Sequence, residues 1–487
     1  MRTFSILLFL SFISSTTLFP QISFERTYGG YGTDYGNSVQ QTTDGGFIIA
    51  GYTLNLGTYW EDVYLIKTDS SGDTLWTRAY GGELFEEGWS VQKTVDGGYI
   101  IAGRMASFFP WYSSNVYLIK MDSSGDTLWT RTYRDGEGYS VQQTSDQGYV
   151  IVGGTYFIGP EDGFVYLIKT DAVGDTLWTR TYGGEWYDVG YSIQQTTDGG
   201  YVIAGVTKSF GAGEEDIYLI KTNSSGDTLW TRTYGGAFDD TGNSVQQTTD
   251  EGFIIAGYSD NLGAGALDVY LIRTDSSGDT LWTRTYGGVF DDTGNSVQQT
   301  MDGGFVIAGV TASFGAGDTD VYLIKTDSSG DTLWTRTFGG DGHDDGKSVQ
   351  QTEDGGYVIT GGTRGDVYLV KTDPDGYVGI SDNKFPSLEL PHAWALSQNY
   401  PNPFNPTTTI SFKIPSEAGK KQHVNLTIYD LRGRHVKTLV DEEYKPGTHQ
   451  VVWNGKNEQG QQVSSGIYLY TLKSGDKRYT RKMVILE

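Results

Sequence analysis

The segment Ser-Val-Gln-Gln-Thr, or a close variant, begins at Ser38, Ser90, Ser140, Ser192, Ser244, Ser296 and Ser348, and this repetition restricts the fold more than any other feature. Where it is clearest, from Trp230 to Trp282 and from Trp282 to Trp334, the period is 52 residues. A period of that size marks one supersecondary unit whose apolar faces are covered only by its neighbours. The fifth copy reads as four strands: Ser244 to Thr248, Phe253 to Tyr258, Asp268 to Thr274 and Thr280 to Tyr286. Tight turns at Asp250, Glu251 and Gly252 and at Gly278 separate the first pair and the last pair, and a variable loop joins the two pairs. Four short strands in a unit of this length are expected of a propeller blade.

The two ends of the array predict a closed ring. The seventh copy runs from Asp373 into Pro374, Asp375, Gly376 and Tyr377 and has no fourth-strand phrase. Ser23 to Gly30, ahead of the first copy, matches the missing strand. Pairing the two removes the sheet edges that an open array would expose. The expected architecture is all-β: a seven-bladed β-propeller of four-stranded blades over residues 21–380, its last blade closed by the N-terminal strand. A linker over 381–399, containing Pro386 and Pro391, and a small Ig-like β-sandwich over 400–487 follow.

Composition agrees with this and narrows the function. The 487 residues include 68 Gly, 34 Tyr and 12 Trp, which suits short strands and tight turns. There is no cysteine, so disulfides, thiolate metal sites and cysteine nucleophiles are excluded. Only His343 of the five histidines lies in the repeats, which excludes a multi-histidine metal site there. Residues 1–20 read as a signal peptide: Arg2 precedes an apolar run, Ile6 to Ile13, too short to span a bilayer. No other segment is apolar enough to cross a membrane. Residues 396–487 hold 13 Lys+Arg and 8 Asp+Glu, so of the net charge of −25 the remainder carries −30. An acidic body of this kind repels nucleic acid.

The phrase Lys325 to Trp334 resembles the tryptophan-docking motif of quinoprotein-like propellers. The resemblance implies that Trp76, Trp129, Trp178, Trp230, Trp282 and Trp334 dock blade against blade, and it extends to architecture only, because the cofactor site of those enzymes uses vicinal cysteines. The repeated Arg78, Arg131, Arg180, Arg232, Arg284 and Arg336 are expected to be structural. Within the last 92 residues, Tyr400, Pro401, Asn402, Pro403 and Phe404 open a segment that continues through Gly433, Gly466, Tyr468 and Lys482. They resemble the type A sorting domain of the type IX secretion system, and are also similar to the Ig-like domain of the flagellar hook-capping protein. That resemblance implies the type IX machinery as a partner and export to the surface or surroundings of a Gram-negative bacterium, with loss of the domain.

Blade geometry sorts the loops onto two faces. The Asp-Gly-Gly and Ser-Ser-Gly turns hardly vary, so their face is expected to be scaffold. The opposite face carries the variable loops, where a rigid scaffold displays recognition residues. Ligand-binding candidates there are Tyr59, Trp60, Phe109, Trp111, Tyr112, Trp186 and Tyr187, with Phe108, Tyr156 and Phe157 beside them. They could stack on sugar rings, anchor a protein partner, or pack over the blade tops. Asp34, Glu86, Asp188, Asp240, Asp292 and Asp344 recur in the interblade loops, with Asp135 and Glu137 in the shorter third. Such a set could gather Ca²⁺, but recurrence in nearly every blade favours carboxylates that accept backbone hydrogen bonds in their own turns, with no cofactor.

The function expected is a secreted, non-catalytic binding or scaffold protein with a glycan or surface-protein partner. Near-identical blades supply the same residue everywhere, whereas catalysis gathers unlike residues in one place. The alternative is a secreted carbohydrate-active enzyme, a glycosidase or lyase, using variable-face carboxylates such as Glu161 and Asp162.

Overall fold

The second and third strands of each repeat, such as Phe253–Asp260 and Leu267–Thr274, are buried along nearly their whole length, so each sheet must be covered on both faces. Neighbouring sheets provide that cover. The computed structural model describes residues 23–54, 60–107, 113–155, 163–260 and 262–379, and in the C-terminal part 395–396, 399, 404, 406–415, 421–445, 447–475 and 477–485. The chain divides into two compact units, the first ending at Ile380 and the second beginning at Ser381.

The first unit contains seven antiparallel four-stranded sheets, each built from consecutive strands except the last. There Ser348–Gln351, Tyr357–Thr363 and Asp366–Thr372 are completed by Phe24–Tyr28, in register Phe24↔Lys371 to Tyr28↔Val367. The unit is thus a seven-bladed β-propeller closed by its N-terminal strand. Each apolar cluster spans two blades: Ile48, Leu65 and Val63 of the first meet Tyr99, Ile101 and Ile119 of the second.

The repeated Ser-Val-Gln-Gln phrase explains the innermost strands. These strands line one central cavity of about 270 Å³ with Ser, Val and Gln side chains. Each blade's serine hydroxyl accepts the N–H of the following blade's valine, or of Ile193 in the fourth blade, and the seven bonds close through Ser348 and Val39. The first glutamine of each blade does the same one level down, closing through Gln350 and Gln41. The second glutamine forms a third tier of six bonds, interrupted where Lys93 stands in place of glutamine. Side-chain amides and hydroxyls thereby satisfy backbone donors along the axis, which buried polar groups require.

The outer strands dock by their tryptophans. The turn glycines Gly125, Gly174, Gly226, Gly278, Gly330 and Gly376 lie against Trp76, Trp129, Trp178, Trp230, Trp282 and Trp334 of the preceding blade, so close that a Cβ would meet the indole within 3 Å. Phe24 of the closing strand takes the same place against Gly72. The arginine two residues beyond each tryptophan lies over its ring at 5.0–5.5 Å, and Arg131, Arg180, Arg232 and Arg284 also pair with an aspartate of the next blade. The expected structural role of these arginines is therefore a rim of cation–π contacts and surface ion pairs.

Each Asp-Gly-Gly-type turn is fixed from below by a buried basic residue of the third strand: Lys67–Asp44 at 2.9 Å, and likewise Lys120–Asp96, Lys169–Asp146, Lys221–Asp198, Arg273–Asp250, Lys325–Asp302 and Lys371–Asp354. Burial works to raise the Asp44 carboxyl, but the Lys67 ammonium, the Thr42 hydroxyl and the Gly46 N–H outweigh it and hold the group down to about 2. All seven turn carboxyls move in the same direction. A carboxyl whose folded pKa lies below its unfolded value, about 3.9, adds stability above that value and loses it as pH falls through the folded pKa. Most of these aspartates are more than half exposed, so each pair is individually screened. Sevenfold repetition makes the sum visible: the melting temperature is expected to fall steeply between pH 4 and 2, and replacing Asp44, Asp96 and Asp198 by Asn should flatten that slope. Melting followed by circular dichroism across this range checks both.

The C-terminal unit pairs a three-stranded sheet, Ala395–Leu396, Thr408–Ile414 and Gly447–Trp453, with a four-stranded one, His435–Tyr444, Gln422–Asp430, Gly466–Ser474 and Lys477–Ile485. Ile410, Phe412, Leu426, Ile428, Trp453, Tyr470 and Met483 form the core between them, as in an Ig-like sandwich. Gly433 closes the turn after Asp430 at φ +76°, a conformation that suits glycine. Gly466 opens a strand, Tyr468 donates its hydroxyl proton to the Ser464 carbonyl, and Lys482 lies opposite Leu469. Pro401, Asn402 and Pro403 lie outside the described residues.

Candidate functional site

The interblade links and second-to-third-strand loops share the variable face. Among the described residues, the large apolar side chains exposed on it are Tyr31, Trp60, Trp186, Phe210, Phe238, Leu262, Val289, Phe290 and Phe314. Trp60 packs against Phe85 at 4.6 Å with 43% of its surface open, and Trp186 is 51% exposed. Tyr187 is half-buried beside Gly163 and hydrogen-bonded to Tyr191. Tyr59, Phe108, Phe109, Trp111, Tyr112, Tyr156, Phe157, Glu161 and Asp162 lie outside the described residues. The later blades, with their glycine-rich Ser-Phe-Gly-Ala-Gly and Gly-Gly-Ala-Phe segments, contribute more to this face than those plain segments suggest. Phe210, Phe238, Phe290 and Phe314 are each 45–61% exposed.

The inner strands begin earlier than expected. In the fifth blade the strand runs from Asp240 to Gln247, so Asp240 to Asn243 belong to the ladder and not to the link. The sequence hides this because Asp-Thr-Gly-Asn looks like a turn. The pairing slips between Gly242 and Ser244, and the same slip recurs at Gly36/Ser38, Gly88/Ser90, Gly138/Ser140, Gly190/Ser192 and Gly294/Ser296. A bulge of this kind re-aims one side chain and often borders a functional site.

The bulged position is where the repeat stops repeating. Around the ring it reads Asn37, Trp89, Tyr139, Tyr191, Asn243 and Asn295, and Lys347 occupies the equivalent place in the seventh blade. Trp89 and Tyr139 stack at 4.4 Å and 8°, and Tyr191 meets Tyr139 edge-on at 5.2 Å. Beneath them Arg104 bridges two buried carboxylates, Glu87 at 2.6 Å and Glu137 at 3.3 Å, and its guanidinium lies 5.4 Å from the Trp89 ring. The same carboxylates accept hydrogen bonds from Trp89 Nε1 at 2.9 Å and from the Tyr139 hydroxyl at 2.7 Å. Burial, and then the neighbouring Glu87, push the Glu61 carboxyl up to about 7. On the other arc the Asn37, Asn243 and Asn295 amides donate to the Gly88, Gly294 and Gly346 carbonyls at 2.8–3.0 Å. Lys347 sits 3.9 Å from Asp345, which also accepts the Tyr35 hydroxyl. Tyr35 stacks in turn on Tyr52 at 5.5 Å.

Sequence reasoning missed this cluster. It seeks unlike residues within one blade, whereas here four blades contribute: Glu61 from the first, Glu87, Trp89 and Arg104 from the second, Glu137 and Tyr139 from the third and Tyr191 from the fourth. Reading the seven copies column by column, three residues past the recurring acid, is the signal that finds it.

The recurring acids are buried at the ends of the inner strands. Asp34, Asp188, Asp240, Asp292 and Asp344 each accept the backbone N–H four residues earlier at 2.7–2.9 Å, and Glu86 does so at 3.4 Å. Among the described residues, the second oxygen of each of the five aspartates has no hydrogen-bond partner. Thr53, Thr207, Ser259, Thr311 and Thr363 stand opposite them on the paired strand. Among the described residues no group of three or more His, Cys, Asp or Glu is placed to hold a metal ion.

Residues 398–486 match the family model of the secretion system C-terminal sorting domain. A tail of this family directs a chain to the cell surface or the extracellular space, which makes this a secreted or surface β-propeller protein. A 150-residue stretch is 27% identical to the regulatory protein FlaEY of Caulobacter vibrioides, covering 27% of this chain and 16% of that protein. Two solved structures are among those to which this chain is similar. The β-propeller domain of the Trilobed protease from Pyrococcus furiosus has a TM-score of 0.41 and 11% identity, over 71% of this chain and 97% of that one. PorZ, a surface component of the type IX secretion system of Porphyromonas gingivalis, has a TM-score of 0.19 and 11% identity, over 93% of this chain and 81% of that one.

Proposed function

We propose that the propeller is a non-catalytic binding module, delivered outside the cell by its sorting domain and engaging its partner through the variable face. The observation that carries this is the run of exposed apolar side chains through the links and loops of that face, from Tyr31 and Trp60 to Phe290 and Phe314. Large exposed apolar groups recurring in the loops of one face are the kind of surface that a partner covers. Glu87 and Glu137 are committed to Arg104, Trp89 and Tyr139, an arrangement suited to holding a surface rigid. No cofactor is assigned. Calcium titration is expected to leave the melting temperature almost unchanged, and a rise of several degrees at millimolar Ca²⁺ would contradict that.

The test uses the purified secreted protein against a glycan array and against isolated cell-surface proteins, with product analysis of whatever is retained. Retention without turnover is expected, weakened when Trp186, Phe238 and Phe290 are changed to Ser. Turnover of a retained polysaccharide would overturn the non-catalytic reading.

A further inference from the structure

We propose that the mouth of the propeller axis, at the level of the inner-strand bulges, is a binding subsite for a neutral carbohydrate; this rests on the binding-module reading above. The mouth is divided by chemistry. Blades two, three and four present one continuous aromatic wall, Trp89, Tyr139 and Tyr191, each ring partly exposed. Blades five, six and one present the amides Asn243, Asn295 and Asn37, with Lys347 between Asn295 and Asn37.

A pyranose has the matching division. Its C–H bonds, made slightly positive by the ring and hydroxyl oxygens, favour the electron-rich face of an aromatic ring. Its hydroxyls both donate and accept, as amides do. An apolar wall facing a few fixed polar groups is the usual composition of a small-ligand site.

Charge narrows the class further. Glu87, Glu137 and Asp345 outnumber Arg104 and Lys347 at the mouth, which disfavours anionic ligands. The cationic position over Trp89 is already taken by Arg104, at 5.4 Å, so the wall is not an open cage for an ammonium group. The subsite is also rigid: two closed rings of interblade hydrogen bonds lie immediately below it, so little ordering entropy opposes binding.

The experiment uses the full secreted chain on an array of neutral, anionic and aminated oligosaccharides, with affinities measured by calorimetry. The variant Trp89→Asn/Tyr139→Asn/Tyr191→Asn gives the aromatic blades the residue found in blades one, five and six. It is expected to weaken neutral-sugar binding by at least about tenfold, while Val95→Ser, in an exposed turn of the opposite face, leaves the affinity within a factor of about three. If the triple variant melts early, Asn243→Leu, remote from the Arg104 cluster, is expected to show the same loss with a melting temperature lowered by only a few degrees, the cost of its one hydrogen bond to Gly294. Neutral-sugar binding that survives these changes, or that is lost only with Trp186→Ser and Phe238→Ser, overturns the mouth subsite while the binding-module reading stands. Retention of anionic or aminated sugars alone, or of no sugar at all, also overturns it. Hydrolysis of the retained sugar counts against the non-catalytic reading instead.

Discussion

A chain lacking residues 23–28 is expected to lose the cooperative unfolding of the propeller and to aggregate on purification. Those residues form the outer strand of the seventh sheet, and their removal leaves the whole edge of Asp366–Thr372 unpaired. They also remove Phe24, which is 2% exposed within a cluster containing Phe47, Tyr64 and Val367 and fills the docking position against Gly72. Emptying one such aromatic site costs about 3–5 kcal/mol. Adding the lost ladder hydrogen bonds brings the total into the range of a whole domain's net stability, about 5–15 kcal/mol. The strand also joins the two ends of the ring, so no neighbouring segment of chain can replace it. Size-exclusion chromatography and thermal melting of the truncated chain check this, and an unchanged melting temperature would refute closure by the N-terminal strand.

Replacing Trp282 by Ala is expected to destabilise the propeller by about 3 kcal/mol, the lower end of the range for aromatic truncation because the indole is only partly buried. The ring packs on Gly330, stands edge-on to Phe305 at 5.9 Å and carries Arg284 above it at 5.5 Å. Gly330 is the other half of the same joint. Its φ of +78° disfavours any side chain, and a Cβ there would meet the indole at 2.7 Å. Gly330→Ala is therefore expected to cost about 1–3 kcal/mol from backbone strain and overpacking together. In the double variant the steric part of that cost disappears, so the two losses should not add. Denaturant titration of the four-member cycle measures the coupling. Strict additivity would mean that Trp282 stabilises its own blade and not the joint to the next.

Much of the fold was legible because a repeated phrase reports the same geometry seven times. The strand boundaries at Thr280–Tyr286, the docking tryptophans and the completion of the last blade by Ser23 to Gly30 all follow from matching the copies. The sorting tail was legible from its own motifs.

The site was hidden by that same repetition. Averaging the copies treats Trp89, Tyr139 and Tyr191 as noise in a column that otherwise reads Asn or Lys. Arg104 is concealed in an apolar second strand, Tyr99–Ser107, where a single charge looks like an edge residue. Its two carboxylate partners sit on different blades, so no local pattern links them. The start of the inner strand was misplaced for a related reason. A bulge inserts a residue into the two-residue alternation, and Asp-x-Gly-x then reads as a turn. The exposed phenylalanines were underestimated because one aromatic residue in a glycine-rich loop has no periodicity to show which way it faces.

The central claim is that one face of the ring is scaffold and the other binds. Hydroxyl-radical footprinting of the full protein, with and without a saturating amount of the ligand retained in the array experiments, tests it most directly. Protection is expected at Trp60, Trp89, Tyr139, Trp186, Tyr191, Phe238 and Phe290, with Val95 and Met301 in the turns of the opposite face and Leu281 on the outer strand unchanged. Protection centred on Val95 and Met301, with the variable face still reactive, would contradict it.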